Sequence, residues 1–200
     1  TVCAPLLGAP WGSSPACNRL LTDGPTRVVL PPGTWELVAT VGPFATVARD
    51  RVTVAAGEEA SVSLEVKTLP VAPPGTLSAD LHVHGAKSFD TNFPDADRVR
   101  SFLAARVDVI AATDHDAIWS YERTLAELDV GDRIRLLVGL ETTGHVLWNF
   151  NPAVAYPQVV GHYNFWPLEF RFGAPRFGAP NDEVAEPGML FTRMGRAGLG

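Results

Sequence analysis

The sequence predicts an α/β protein in which a small antiparallel β-sandwich precedes a parallel sheet or barrel. Two patterns support this fold class. Apolar and polar side chains alternate before residue 68, whereas strand-like and helix-like segments alternate after residue 75. The proline-rich segment 68–75 separates the two patterns and has the composition of an extended linker. We therefore assign residues 1–74 to an accessory module, comprising an N-terminal loop, the sandwich and the linker, and residues 75–200 to a second domain.

The accessory module contains two clear strand signals. Trp35–Val41 and Ser61–Val66 each place apolar residues at every second position, which is typical of half-buried strands. Turn residues at 31–33 and 56–58 precede these segments. Short strands separated by turns at this spacing predict a small antiparallel sandwich.

The second domain begins with a βαβαβ pattern. The predicted elements, in order, are a strand at Leu77–His84, a helix at Asp95–Ala105, a strand at Val107–Thr113, a helix at Ala117–Leu128 and a strand at Ile134–Leu140. Such alternation predicts parallel strands joined by right-handed crossovers, with the functional site at the carboxyl ends of the strands.

Three further features follow residue 141. Val159–Pro167 predicts a fourth strand, and Pro187–Met194 predicts a helix. The pentapeptide RFGAP occurs twice over residues 171–180, and we interpret it as a loop because two copies of five residues are too few for a repeat architecture. The chain stops where another strand is expected, so we expect the second domain to be truncated.

Composition limits the classes of partner. The 22 acidic and 16 basic residues give a net charge of −6, which disfavours nucleic acid and anionic membrane surfaces and favours a small-molecule substrate. No apolar run reaches the ~18 residues of a transmembrane segment. Cys3 and Cys17 can form a disulfide or remain as free thiols. The bridge would suit an extracytoplasmic location, although the sequence begins without a signal peptide.

Potential metal ligands follow the predicted strands. His82 and His84 are two apart on one strand, so their imidazoles project from the same face and can converge on a cation. Polar clusters at 113–116, 139–141 and 161–164 also lie at or near strand ends. Parallel strands would gather these clusters at one rim. Imidazole and carboxylate donors suit zinc, manganese or iron.

Four short motifs carry a resemblance to a known family. The stretches DLHVH at 80–84, TDH at 113–115, GLE at 139–141 and GH at 161–162 resemble successive motifs of the polymerase and histidinol phosphatase (PHP) family of metal-dependent phosphoesterases. The variant with ETT at 141–143 and GHYN at 161–164 looks most like a branch that includes carbamate- or ester-cleaving hydrolases. The resemblance implies that residues 75–200 are the first part of a distorted (β/α)7 barrel. Residues 25–67 loosely resemble transthyretin-like or carboxypeptidase-regulatory-like modules.

The resemblance also implies a set of site residues. Two or three divalent transition-metal ions would be held by His82, His84, His115, Glu141, His162 and Asp90. Glu141 would bridge two metals, and Asp114 would be a catalytic group that orients an imidazole by accepting its ring N–H. The implied activity is cleavage of a phosphoester, or of a carboxylic or carbamic ester, by a metal-activated hydroxide.

The pattern leaves alternatives open. The family's later histidine and its closing Asp-x-His motif are not found before Gly200, and a non-catalytic binding or cell-surface protein with a structural or degenerate metal site is the second interpretation. An amidohydrolase barrel ranks lower, because His115 follows His84 too closely for that fold. His145 forms a second Gly-His pair, which we interpret as a rim or packed histidine.

Overall fold

A computed structural model describes residues 20–143, 145–146, 158–159, 161–181 and 187–198. Cys3 and Cys17 lie outside these residues, so their pairing stays a prediction. The strands are β1 (Gly33–Ala39), β2 (Ala48–Val54), β3 (Ala79–Val83), β4 (Val109–Ala112), β5 (Arg135–Val138), β6 (Leu140–Thr142), β7 (His145–Val146), β8 (Gln158–Val159) and β9 (Tyr163–Phe165). The α-helices are α1 (Asp95–Ala104), α2 (Glu122–Glu127) and α3 (Pro187–Ala197), and a 3₁₀ turn spans Pro175–Gly178.

The chain divides into two compact units. One unit comprises residues 1–77 and 100–106, and the other comprises residues 78–99 and 107–200. In the first unit, β1 and β2 pair antiparallel, with Trp35 opposite Val52.

The predicted sandwich is wrong for the part of this unit that the structure describes. Ser61–Val66 keeps its alternating exposure but forms no strand ladder there. Backbone hydrogen bonds resume just after this segment. The N–H of Thr46 donates to the carbonyl of Lys67, and the N–H of Leu69 donates to the carbonyl of Phe44. Alternation therefore predicted which side chains are half-buried, but not whether the backbone would pair.

The second unit is built on a three-stranded parallel sheet in the order β3-β4-β5. This pairing matches the prediction from the βαβαβ alternation. The central strand β4 buries Ile110, Ala111 and Ala112 completely, as expected for a strand covered on both faces. A bulge between Asp80 and Val83 interrupts the β3–β4 register just before the chain reaches His84.

The predicted (β/α)7 barrel is wrong. The described residues contain three α-helices, one three-stranded parallel sheet and several two-stranded antiparallel sheets. After β5 the chain passes through Gly139 alone into β6, and a single residue cannot form the crossover of roughly ten or more residues that a further parallel strand needs. Strand β6 pairs antiparallel with β9 instead. The fourth strand predicted at Val159–Pro167 is accordingly split between β8 and β9, and both strands pair antiparallel.

The helix predicted over Ala117–Leu128 is shorter than expected. Trp119 forms a β-bridge with Gly139, so the chain stays extended there and α2 begins at Glu122. The predicted apolar stripe is nevertheless buried at Ile118, Tyr121 and Leu125. Tertiary pairing has overridden local helix propensity at the N-terminal end of this segment.

The RFGAP repeat is not wholly a loop. Its second copy contributes most of the 3₁₀ turn Pro175–Gly178, in which Arg176 and Phe177 have left-handed backbone angles of φ 51° and 57°. The first copy contains an ordinary turn around Gly173. The two copies therefore adopt different conformations.

A hydrophobic core includes side chains of β6 and α3. It contains the buried side chains of Ile118, Leu140, Leu168, Leu190 and Met194. The helix predicted at Pro187–Met194 is present and continues to Ala197. Because successive side chains of a strand point to opposite faces, burying Leu140 in this core directs Glu141 to the other side of β6. None of the described helices is long and apolar enough to cross a membrane.

Candidate metal centre

Four imidazoles surround the carboxylate of Glu141. The Nε2 atoms of His82 and His84 lie 3.0 and 2.8 Å from its Oε2 atom. The Nε2 atom of His115 lies 3.5 Å from the same oxygen, and Nδ1 of His162 lies 2.9 Å from Oε1. The structure therefore brings together five residues from four separate stretches of the sequence.

The fold builds this cluster from strand ends. His82 lies in β3 and His84 directly follows it, while His115 lies three residues beyond the end of β4 and pairs with Glu141 through a parallel bridge. His162 immediately precedes β9, which is the antiparallel partner of β6. The carboxyl ends of β3 and β4 thus meet at one rim, and the β6–β9 pairing adds the other two donors.

Three groups of donors could hold a metal ion. They are His82 with His84 and Glu141, His84 with Asp90 and His115, and His115 with Glu141 and His162, and the donor atoms of each group lie within 4.8 Å of one another. A tetrahedral zinc ion with bonds of ~2.0–2.1 Å would hold its ligands about 3.3 Å apart. The Nε2 atoms of His82 and His84 are 2.8 Å apart, so they would have to separate by about 0.5 Å to reach that spacing. The donor types and their convergence fit a bound cation.

Charge at the centre favours a cation. The Glu141 side chain is only 5% exposed. Its burial opposes ionisation, but interactions that include its hydrogen bonds with His82 and His162 outweigh that effect, so the pKa of Glu141 falls below its ordinary value. Burial also lowers the pKa of His115, against the opposing effect of Glu141. An ionised carboxylate and a neutral imidazole are the forms that coordinate metals.

Asp90 lies at the edge of this cluster, in the loop after β3. Its Oδ1 is 3.2 Å from Nδ1 of His84, and its Oδ2 is 3.6 Å from Nε2 of His115. Partial burial raises the pKa of Asp90, but hydrogen bonds with Ser88 and His84 bring the net pKa below its ordinary value. The structure therefore places this predicted ligand beside two of the imidazoles.

Ser88 and Phe89 are neighbours of the centre that sequence reasoning missed. Ser88 is buried, and its Oγ lies 3.0 Å from Nδ1 of His84 and accepts a hydrogen bond from the backbone N–H of His115. The Phe89 ring stacks on His115 with centroids 4.5 Å apart. Neither residue belongs to a motif. The one available signal was their position in the short loop between His84 and Asp90.

Asp114 is placed differently from the prediction. Its carboxylate accepts hydrogen bonds from the Gly85 backbone N–H and the Tyr121 hydroxyl, both at 2.9 Å, and not from an imidazole. Burial raises the pKa of Asp114 and outweighs the lowering by these two bonds. Burial also raises the pKa of Tyr121, which keeps the phenol protonated as the donor. Asp114 therefore fixes the backbone next to His84.

We expect Tyr121→Phe to destabilise the protein, because it removes a donor to a buried carboxylate without changing the shape of the ring. The cost should be about 1–3 kcal/mol in the free energy of unfolding, measured by urea denaturation. Arg123→Ala, which alters an exposed side chain on α2, serves as the control and should change stability little. Equal stability of Tyr121→Phe and the wild type would show that the bond to Asp114 contributes nothing.

His145 lies in β7, where its backbone pairs with Val159, and its side chain is outside the described part of the structure. Its interpretation as a rim or packed histidine stays a prediction.

No model of a known protein family matches the chain, and a search of curated proteins also finds no match. Evidence about function therefore comes from the geometry of the site and from its short motifs.

Proposed function

We propose that this protein is a metal-dependent hydrolase that cleaves a phosphoester or a carboxylic or carbamic ester. The observation that carries the proposal is the buried Glu141 carboxylate in contact with four imidazoles. A divalent ion bound there would supply Lewis acidity, lowering the pKa of water and stabilising negative charge on a substrate oxygen. The resemblance of the four motifs to the PHP family supports the same proposal.

The two carboxylate oxygens of Glu141 contact different imidazoles. His82 and His84 approach Oε2, whereas His162 approaches Oε1. This division supports a role for Glu141 as a carboxylate bridging two ions. His115 shares one group with Glu141 and His162 and another with His84 and Asp90. The mixture of nitrogen and oxygen donors suits zinc, manganese or iron.

The alternative is a metal site with a purely structural role. Structural zinc sites are closed by protein ligands, whereas catalytic sites keep a position open for water and substrate. Here the side chains of His82 and His162 are 51% and 44% exposed, although Glu141 beneath them is buried. A cluster that opens to solvent on one side favours the catalytic role.

Elemental analysis of protein purified without added metal tests the proposal, together with assays on chromogenic phosphate and carboxylic esters. We expect about two to three equivalents of transition metal and metal-dependent hydrolysis of at least one ester class. Replacing both His82 and His84 with alanine should remove most of the metal and the activity.

The matched control is Arg49→Ala combined with Arg51→Ala. These residues are also two apart on a strand, but they belong to the first unit, whereas the donors belong to the second. Wild-type protein that binds no metal would overturn the proposal. Metal retained by the folded protein without hydrolysis of any ester would favour the structural alternative.

A further inference from the structure

We infer that Thr143 and Asp116 are positioning residues that fix the tautomer of His115, with the proton on Nδ1 and the lone pair of Nε2 facing the other donors. The inference rests on the proposed function, because the value of this tautomer lies in presenting Nε2 to a metal ion. The tautomer itself is a property of the metal-free chain and can be measured separately.

The hydroxyl of Thr143 determines the direction of the hydrogen bonds. Its oxygen lies 3.3 Å from Nδ1 of His115, and it donates its proton to Oδ2 of Asp116. A threonine hydroxyl has one proton and an ionised carboxylate has none to give. Because that proton is committed to Asp116, Thr143 can only accept from the imidazole. Nδ1 of His115 must then carry the ring proton.

Asp116 is itself held in place as the acceptor. The backbone N–H of Thr143 donates to its Oδ1 at 2.7 Å. Nε of Arg176 donates to the backbone carbonyl of Asp116, and the guanidinium also lies 4.0 Å from Oδ1. This contact gives the second RFGAP copy a role that the first does not share, since Arg171 pairs with Glu169.

Burial protects the hydrogen bond between His115 and Thr143 from water. His115 and Thr143 are 8% and 6% exposed, so water cannot easily replace the bond between them. On the other side of the ring, Nε2 lies 3.5 Å from Oε2 of Glu141 and 3.6 Å from Oδ2 of Asp90. A lone pair that faces carboxylate oxygens is favourable when a cation lies among them. Metal-binding imidazoles commonly donate their other N–H to an acceptor in this way.

The direct test is long-range ¹H–¹⁵N NMR of His115 in metal-free protein, at a pH well above the ordinary histidine pKa of ~6.5. We expect a single tautomer protonated at Nδ1 in the wild type and in Thr143→Ser, which keeps the hydroxyl. Thr143→Val keeps the shape but removes the acceptor, and it should give a mixture or the Nε2–H form. Thr142→Val is the matched control, because that buried hydroxyl bonds the Tyr163 carbonyl and should leave the tautomer unchanged.

Titration with Zn²⁺ or Mn²⁺ supplies the second readout. Affinity should fall about 10–100-fold in Thr143→Val and recover in Thr143→Ser. An Nε2–H tautomer in the wild type, or an unchanged tautomer in Thr143→Val, would overturn the inference. If Thr143→Val does not fold, the tautomers of His115 in the wild type and in Thr143→Ser still test the inference. If the tautomers are as expected but the wild-type protein binds no metal, the inference is supported and the proposed function is rejected. Failure of the inference and failure of the proposed function therefore give different results.

Discussion

Replacing Glu141 with glutamine should remove most of the bound metal and, with it, hydrolysis. The amide has nearly the same size as the carboxylate but no charge, and its NH₂ group cannot serve as a ligand. One substitution would thus affect two of the three donor groups at once, since both contain Glu141. We expect the hydrolysis rate to fall at least ~100-fold, because the stabilisation of transition-state charge is lost together with the ion. Elemental analysis and steady-state assays measure the two effects.

Glu127→Gln is the matched control for this experiment. Glu127 lies on the exposed face of α2 and pairs with Arg123. We expect this variant to keep the metal content and the rate of the wild type. Urea unfolding of both variants shows whether a loss of metal reflects misfolding. A Glu141→Gln protein that retains its full metal complement would contradict the role of Glu141 as the central ligand.

Gly139→Ala should be strongly destabilising. A Cβ atom at this position would lie 2.3 Å from the Phe165 carbonyl oxygen and 3.1 Å from that of Ala112. Both neighbours are backbone atoms and cannot rotate away. Strand β9 would have to separate from the β5–β6 junction, at a cost of about 3 kcal/mol in the free energy of unfolding. The same shift would move Glu141 and His162 apart, so the metal content should also fall.

Gly131→Ala is the matched control for this substitution. A Cβ atom there meets nothing within 4 Å. Urea denaturation should show a lower midpoint for Gly139→Ala and an almost unchanged midpoint for Gly131→Ala. Equal midpoints would mean that β9 can move aside without cost, and the close packing of β6 against β9 would then contribute little to the site.

The predicted donors converge for a reason that the sequence already contained. His82 and His84 share a face because strand side chains alternate, and His115 joins them because the ends of adjacent parallel strands meet at one edge. These arguments use only local periodicity and the order of the elements. Glu141 and His162 also reach the site, but through an antiparallel pair that no sequence pattern predicted.

The hydrogen-bond partners of the residues around the site could not be predicted from the sequence. Asp114 was expected to orient an imidazole, yet it bonds Gly85 and Tyr121. Ser88 contacts His84 without belonging to any motif, and Thr143, which belongs to the ETT variant at 141–143, was not expected to contact His115. Each of these contacts joins groups whose proximity depends on how two segments pack, and spacing along the chain does not report that packing.

By itself, the sequence determined the parallel pairing of β3, β4 and β5 and the donor types that gather at their ends, because side-chain periodicity reports which faces are buried. Only the tertiary structure decided that the chain would turn back at Gly139 into an antiparallel pair, and that Ser61–Val66 would remain outside a ladder. The physical reason is that backbone pairing is a competition between distant segments for the same hydrogen-bonding groups. Its outcome depends on packing across the whole unit, as at Gly139, where the absence of a side chain admits the Phe165 carbonyl.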